Sequence, residues 1–163
     1  MNDKPLGVAD AEYRRAMREF ATGVAIIACG AGESRAGCVA TAVASLSLSP
    51  PSLIVNLQRA GSTRQRLQDA GAFSVNFLGA SHEALARRFA GGAPADERFS
   101  DGAWIEGATG APVLADALAA VECRVEEILA RFTHAIVIGR VEAVRPGDGG
   151  PGLLHWRGRF ETL

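Results

Sequence analysis

The sequence predicts a mainly β fold, an antiparallel β-barrel or sandwich with a few flanking helices. Three observations predict it. Compact apolar runs recur at Val24–Cys29, Leu53–Leu57, Ala72–Leu78, Val121–Leu129 and Thr133–Val144, with the length and composition of strands. The segments between them are tight and rich in Gly, Pro and Ser. Few of the runs are separated by enough chain for a crossover helix, which a doubly wound parallel sheet requires.

Taken in order, Asp10 reads as an N-cap, and Tyr13, Met17 and Phe20 follow at helical spacing over residues 11–21. Val24–Cys29 reads as a buried strand and Gly30–Ala36 as a polar turn. Val39–Ser49 reads as one strand of small residues, with Ser45, Ser47 and Ser49 on one side. Pro50-Pro51 breaks it before Leu53–Leu57. Ser62–Ala70 is predicted helical, because Ser62 and Gln65 have capping-box spacing and Gly71 suits a helix end. Ala72–Leu78 alternates as a strand does. Ser81 is expected to cap a helix that presents Leu85 and Phe89. Residues 91–119 read as a long excursion pinned by Trp104 and Leu114. Two further strands, a turn at Gly147–Gly152 and a short strand at Leu153–Trp156 complete the chain.

The 163 residues are predicted to form one domain, with residues 1–10 a flexible tail. A formal net charge of −1 argues against a nucleic-acid or anionic-membrane surface. No apolar run is long enough to span a bilayer, and the first residues lack the apolar core of a secretory signal. A cytoplasmic location is therefore expected. Cys29, Cys38 and Cys123 form no C-x-x-C pair, and His82, His134 and His155 are isolated, so no metal site is indicated. Gly30-Ala31-Gly32 follows a strand, but position 35 is Arg and no helix follows. It reads as a turn rather than a dinucleotide fingerprint.

The chemistry concentrates between Gly37 and Thr63. Val39–Ser49 carries no large side chain that would block a flat ligand. Leu53–Leu57 leads past Arg59 to Ser62-Thr63 at a predicted helix start, where unpaired amides and the helix dipole favour a phosphate. Arg64 and Arg66 follow in the first turn. A phosphorylated planar ligand fits both features. Among the histidines, His134 stands at the entry of an apolar strand, where a satisfied structural histidine is an equal alternative.

With these residues in view, the chain resembles the short-chain flavin reductases, the reductase components of two-component flavin-dependent monooxygenases. It is most similar to the branch with 4-hydroxyphenylacetate monooxygenase reductase and the pyrimidine-degradation flavin reductase. The resemblance covers about residues 12–163. It rests on Phe20-Ala21-Thr22-Gly23-Val24, on the G-x-x-A-x-A-x-x-S-x-S-x-x-P-P run from Gly37 to Pro51, and on Asn56–Ser62. Gly110–Leu114, Glu122-Cys123 and Thr133-His134 with Gly139-Arg140-Val141 follow in the same order. The resemblance implies an FMN-binding split barrel of six strands with Greek-key character, working as a homodimer. It implies hydride transfer from NADH or NADPH to FMN or FAD, and supply of reduced flavin to a partner oxygenase. It places Val39, Ala40, Thr41, Ala42, Ser45 and Leu46 along the isoalloxazine and ribityl chain. Asn56, Leu57, Gln58, Arg59, Ser62 and Thr63 would hold the ribityl and phosphate, and Phe89 and Ala90 would close over the flavin. His134 matches a histidine on the nicotinamide side and is the expected catalytic residue. Two departures stand out: Phe132 precedes Thr133-His134 where the family often has glycine, and Phe160 replaces a tyrosine. Two other readings remain open: a flavin carrier or storage protein without nicotinamide turnover, and a barrel for another planar ligand such as haem. The chain offers no evident axial-ligand pair for haem.

Overall fold

The computed structural model describes residues 7–95 and 97–163; the first six residues of the expected N-terminal tail lie outside them. Its centre is a seven-stranded antiparallel sheet. The strands are β2 (Ala25–Cys29), β3 (Ala36–Ala40), β4 (Val43–Leu48), β5 (Pro51–Gln58), β6 (Ala72–Phe77), β9 (Ala119–Arg131) and β10 (His134–Pro146), in the order β3-β2-β6-β9-β10-β5-β4. A three-stranded sheet joins β1 (Thr22–Gly23) with β11 (Leu153–Trp156) and β12 (Arg159–Thr162). A small hairpin pairs β7 (Trp104–Glu106) with β8 (Pro112–Leu114). Helices α1 (Asp10–Met17), α2 (Ser62–Ala70) and α3 (Glu83–Arg87) flank the sheets.

The run Val24–Cys29 is apolar throughout because both its faces are buried. Ala25, Ile27 and Cys29 pack with Val55, Leu57, Phe73, Val75, Val137 and Leu67 of α2. Val24, Ile26 and Ala28 face the other way, onto Leu78, Leu85, Phe89, Leu114 and Leu153. The first cluster fills the inside of the curved sheet. The second sits beneath α3 and the excursion that follows it.

The expected single strand Val39–Ser49 is two strands, broken at Thr41–Ala42. β3 pairs with β2 and β4 pairs with β5, so consecutive strands occupy opposite edges of one sheet. Two linking residues span at most about 10 Å, so the sheet must curl until its edges nearly meet. Those edges are not hydrogen-bonded to each other along their length. A register shift between Ser45 and Ser47 interrupts β4, so its serines do not simply alternate along one face.

Other expectations also shift. Helix α1 begins at Asp10 itself, with Ala9 as its cap, ends at Met17 and buries none of its residues. Helix α2 has the predicted bounds and ends on Gly71 at φ 66°, but Gly61 is its N-cap and no capping box forms. Gln65 instead donates to Asp69 Oδ1 at 3.0 Å. Ser81 caps nothing: it lies in a short 3-10 turn, Ala80–His82, which leads into α3 and then a π-helical turn, Arg88–Gly92.

The excursion is held by three buried polar residues of the sheet. Asn76 donates to Ile26 O at 3.1 Å and to Ser74 Oγ at 2.9 Å, and accepts from Leu114 N at 2.8 Å. Ser74 donates in turn to Pro112 O. Glu122 accepts from the amides of Ala108 and Thr109, at 3.1 and 2.8 Å. Trp104 closes an aromatic cluster with Phe89 and Phe99, their ring centroids 4.9–5.5 Å apart.

Candidate functional site

A cleft of about 690 Å³ opens where β3, the Thr41–Ala42 break, the end of β5 and the start of α2 converge. One wall is Cys38–Ala42, whose side chains are small, so a flat ligand can lie against backbone. The opposite wall is Asn56–Gln58. Asn56 of β5 ties this wall to the strand break, its N–H donating to Ala42 O at 3.0 Å. The floor beyond β5 is Gly61–Arg64, the first turn of α2, whose unpaired amides point out of the helix. Phe89, Ala90 and Gly91 of the π-helical turn form a third side. Gly91 has φ 108°, which a side chain would strain.

The structure thus brings together Val39, Ala40, Thr41, Ala42, Asn56, Leu57, Gln58, Ser62, Thr63, Phe89, Ala90 and His134 around one cleft. It does not bring three of the expected residues there. Ser45 and Leu46 lie farther along the exposed edge strand β4, past the break. Arg59 lines an adjoining cavity with Arg64, Phe132 and Thr133. Cys38, Gly61, Arg64, Gly91 and Arg98 line the cleft and were not among the expected site residues. Arg64 had a signal, its place in the first turn of α2. Arg98 had none: it arrives from the excursion, where its guanidinium donates to Gly37 O at 3.0 Å.

Gly37 is required by close packing. A Cβ there would stand 2.7 Å from Phe89 Cε1 and 2.9 Å from Ile27 O. The glycine lets Phe89 press onto β3 and sets the depth of the cleft. His134 begins β10 opposite Gln58, with Nδ1 2.8 Å from Thr133 Oγ1. Cys38 is unsuited to nucleophilic work, because burial pushes its thiol up, against the opposing effects of the Thr63 hydrogen bond and the Arg98 charge. No group of His, Cys, Asp and Glu that could hold a metal occurs among the described residues.

The cleft suits a flavin phosphate in its chemistry. Arg64 Nε is buried at its edge with no hydrogen-bond partner among the described residues, beside the positive end of α2. A buried donor of that kind, next to a wall of small residues, is what a phosphorylated planar ring needs. The model of the flavin reductase like domain matches residues 17–163.

The chain belongs to the flavin reductase family.

It is 40% identical over 158 residues to FMN reductase (NADH) RutF 1 of Methylorubrum extorquens, covering 97% of this chain and 78% of that one. It is 39% identical over 152 residues to FMN reductase (NADH) RutF of Agrobacterium fabrum, covering 93% and 87%. Among solved structures it is similar to BorF, the flavin reductase component of a bacterial two-component tryptophan halogenase. The TM-score is 0.88 at 30% identity, over 95% of this chain and 98% of that one. It is also similar to the NADH:FAD oxidoreductase SgcE6 of Streptomyces globisporus, solved with NAD and FAD fragments. That TM-score is 0.86 at 30% identity, over 96% of each chain. The mainly β architecture with a large antiparallel sheet is therefore the family's own. No helix among the described residues is long and apolar enough to cross a membrane.

Proposed function

We propose that this chain is an NADH-dependent FMN reductase, a single-domain cytoplasmic enzyme that releases reduced flavin to a separate oxygenase. The observation that carries the reading is the convergence of a small-residue wall and a helix N-terminus, with its buried unpaired arginine nitrogen, on one cleft. The relatives named FMN reductase (NADH) favour this nucleotide pair over FAD and NADPH.

In this reading Val39–Ala42 receive the ring and ribityl chain, and Asn56–Gln58 face them. The amides of Ser62 and Thr63 and the guanidinium of Arg64 hold the phosphate. Phe89 and Ala90 limit the cleft on the third side. When bound, the flavin accepts a hydride from the reduced nicotinamide. The protein's part is to hold the two rings face to face, a proximity effect that needs no strong general acid. His134 positions the nicotinamide half. In the tautomer whose Nδ1 accepts from the Thr133 hydroxyl, Nε2 would carry a proton for a carboxamide or phosphate oxygen.

We further infer a split barrel closed at the Thr41–Ala42 seam, and a homodimer. Tyr13, Met17 and Phe20 around α1, and Leu46 and Leu48 on β4, are exposed apolar side chains that a second copy would cover. Sedimentation equilibrium tests that assembly, and a monomer at micromolar concentration would refute it.

The activity is tested by following NADH oxidation with FMN, FAD and riboflavin. Absence of turnover with every flavin would sink the enzyme reading. Arg64→Ala should weaken FMN binding by about tenfold, the loss of one charge-assisted hydrogen bond, and leave riboflavin unaffected. Equal losses for both flavins would refute the phosphate assignment.

A further inference from the structure

Phe132 stands at the tip of the β9–β10 hairpin, and neither local conformation nor burial accounts for it. Its φ is 49°, in the left-handed region that bulky residues avoid. Its side chain is 92% exposed, so the ring packs almost nothing within the chain. The turn is nevertheless held firmly. The Arg59 amide donates to Thr133 O at 3.0 Å, and Arg59 Nη1 donates to Phe132 O at 3.0 Å. An aromatic side chain kept in an unfavourable backbone conformation and offered to solvent on a fixed turn points to a function.

The ring borders a second cavity of about 490 Å³, which Arg59 and Arg64 also line and whose walls carry no acidic side chain among the described residues. Arg64 lines the large cleft as well, so the two spaces share a wall. A chain of positive groups therefore runs from the α2 amides through Arg64 to Arg59 and ends at an open aromatic face. Two guanidinium groups in a described lining free of carboxylates select an anion, and the free ring face selects a flat base.

We propose that Phe132, Arg59 and Arg64 form a subsite for the adenosine-phosphate half of a dinucleotide. The adenine stacks on Phe132 and its phosphate meets the two arginines. The inference rests on the reading above that the flavin phosphate lies at the start of α2. Two reactants carry such a half, a flavin adenine dinucleotide and NADH, and the chemistry of the subsite is the same for both.

The probe is ADP-ribose, measured by titration calorimetry on the full chain. Glycine suits a φ of 49°, so Phe132→Gly keeps the turn. It should weaken ADP-ribose binding about tenfold or more, and Phe132→Trp should restore it. No ADP-ribose binding by the wild type at millimolar concentration, or equal affinities for all three proteins, overturns the proposal. Steady-state ratios then assign the source. A fall in kcat/KM for FAD relative to FMN in Phe132→Gly identifies the flavin. A fall for NADH relative to reduced nicotinamide mononucleotide identifies the reductant. If neither ratio moves, the proposal is wrong while the reductase reading stands. If the wild type turns over no flavin, that reading fails, and the titration alone decides the subsite.

Discussion

Gly37→Ala tests whether the contact between β3 and Phe89 sets the shape of the cleft. The added methyl would lie 2.7 Å from Phe89 Cε1, 3.2 Å from Phe89 Cδ1 and 2.9 Å from Ile27 O. The Ile27 carbonyl belongs to the β2 strand and cannot yield. Phe89 is 2% exposed and braced by Phe99 and Trp104, at centroid distances of 5.0 and 5.5 Å, so its ring cannot retreat alone. Overpacking of this kind costs about 1–3 kcal/mol. At roughly 2–4 °C per kcal/mol for a chain of this size, the melting point should fall by several degrees. Phe89→Ala alone should cost about 3–5 kcal/mol by opening a void. In the double variant the new methyl no longer meets the ring. The combined loss should then fall short of the sum by about 1 kcal/mol or more. Urea denaturation of the four proteins, at one fixed concentration and without flavin, gives the cycle. Additivity within about 0.5 kcal/mol would refute the wedge argument. Because Cys38–Ala42 wall the cleft, FMN affinity should fall together with stability. A Gly37→Ala protein unchanged in both would refute the close-packing account altogether.

His134→Ala should raise KM for NADH severalfold while FMN affinity, measured by fluorescence quenching, stays put; a matching loss of FMN would remove His134 from the nicotinamide side. Asn76→Ala should cost about 2–4 kcal/mol, because it strands Ile26 O and Leu114 N in the core and frees the β7–β8 hairpin. Hydrogen exchange would show that hairpin opening first, and unchanged protection there would contradict the assignment. The thiols of Cys29 and Cys123 are each pushed up to about 12, mainly by burial, from an ordinary value of 9.0. The unfolded chain therefore loses these protons first as pH rises, and stability declines between the two values. The loss is about 2 kcal/mol per thiol by roughly pH 10.5. Replacing both with alanine should flatten the alkaline limb of the stability curve, and an unchanged slope would show that other groups control it.

What could be read from the sequence was local. Val24–Cys29 declared itself as a strand buried on both faces, and Gly71 marked the end of α2. The break at Thr41–Ala42 could not be read, because the small residues on either side of it are alike. The break follows from partner choice, β2 for one half and β5 for the other. The β7–β8 hairpin was invisible for a related reason. Its strands have three residues each, too few for periodicity, and Asn76 and Glu122 fix it from distant segments. In the site, residues contiguous with the small-residue strand and the helix start were legible. Arg98 was not, because its contact with Gly37 spans 61 positions and leaves no trace in spacing. Arg59 lines the adjoining cavity, because its guanidinium turns to the hairpin carbonyl of Phe132, a contact that closeness to the α2 N-terminus in sequence does not reveal.

The location of the cleft follows from how the sheet is filled. Val55, Leu57, Phe73, Val75 and Val137 occupy the inside of the curl almost completely, so no ring-sized ligand can enter there. Room for the main cleft remains at the seam, where the chain leaves β3, paired with β2, and crosses to β4, paired with β5. A sheet edge is ordinarily a hazard, because its free backbone groups invite further strands. Here the small side chains that expose those groups also make them a surface against which a planar ligand can lie. The site is consequently an open cleft assembled from six separate stretches of chain. That arrangement suits a flavin that must arrive, react and leave, since in the proposed reading binding would rest on one phosphate clamp and one flat wall rather than on enclosure.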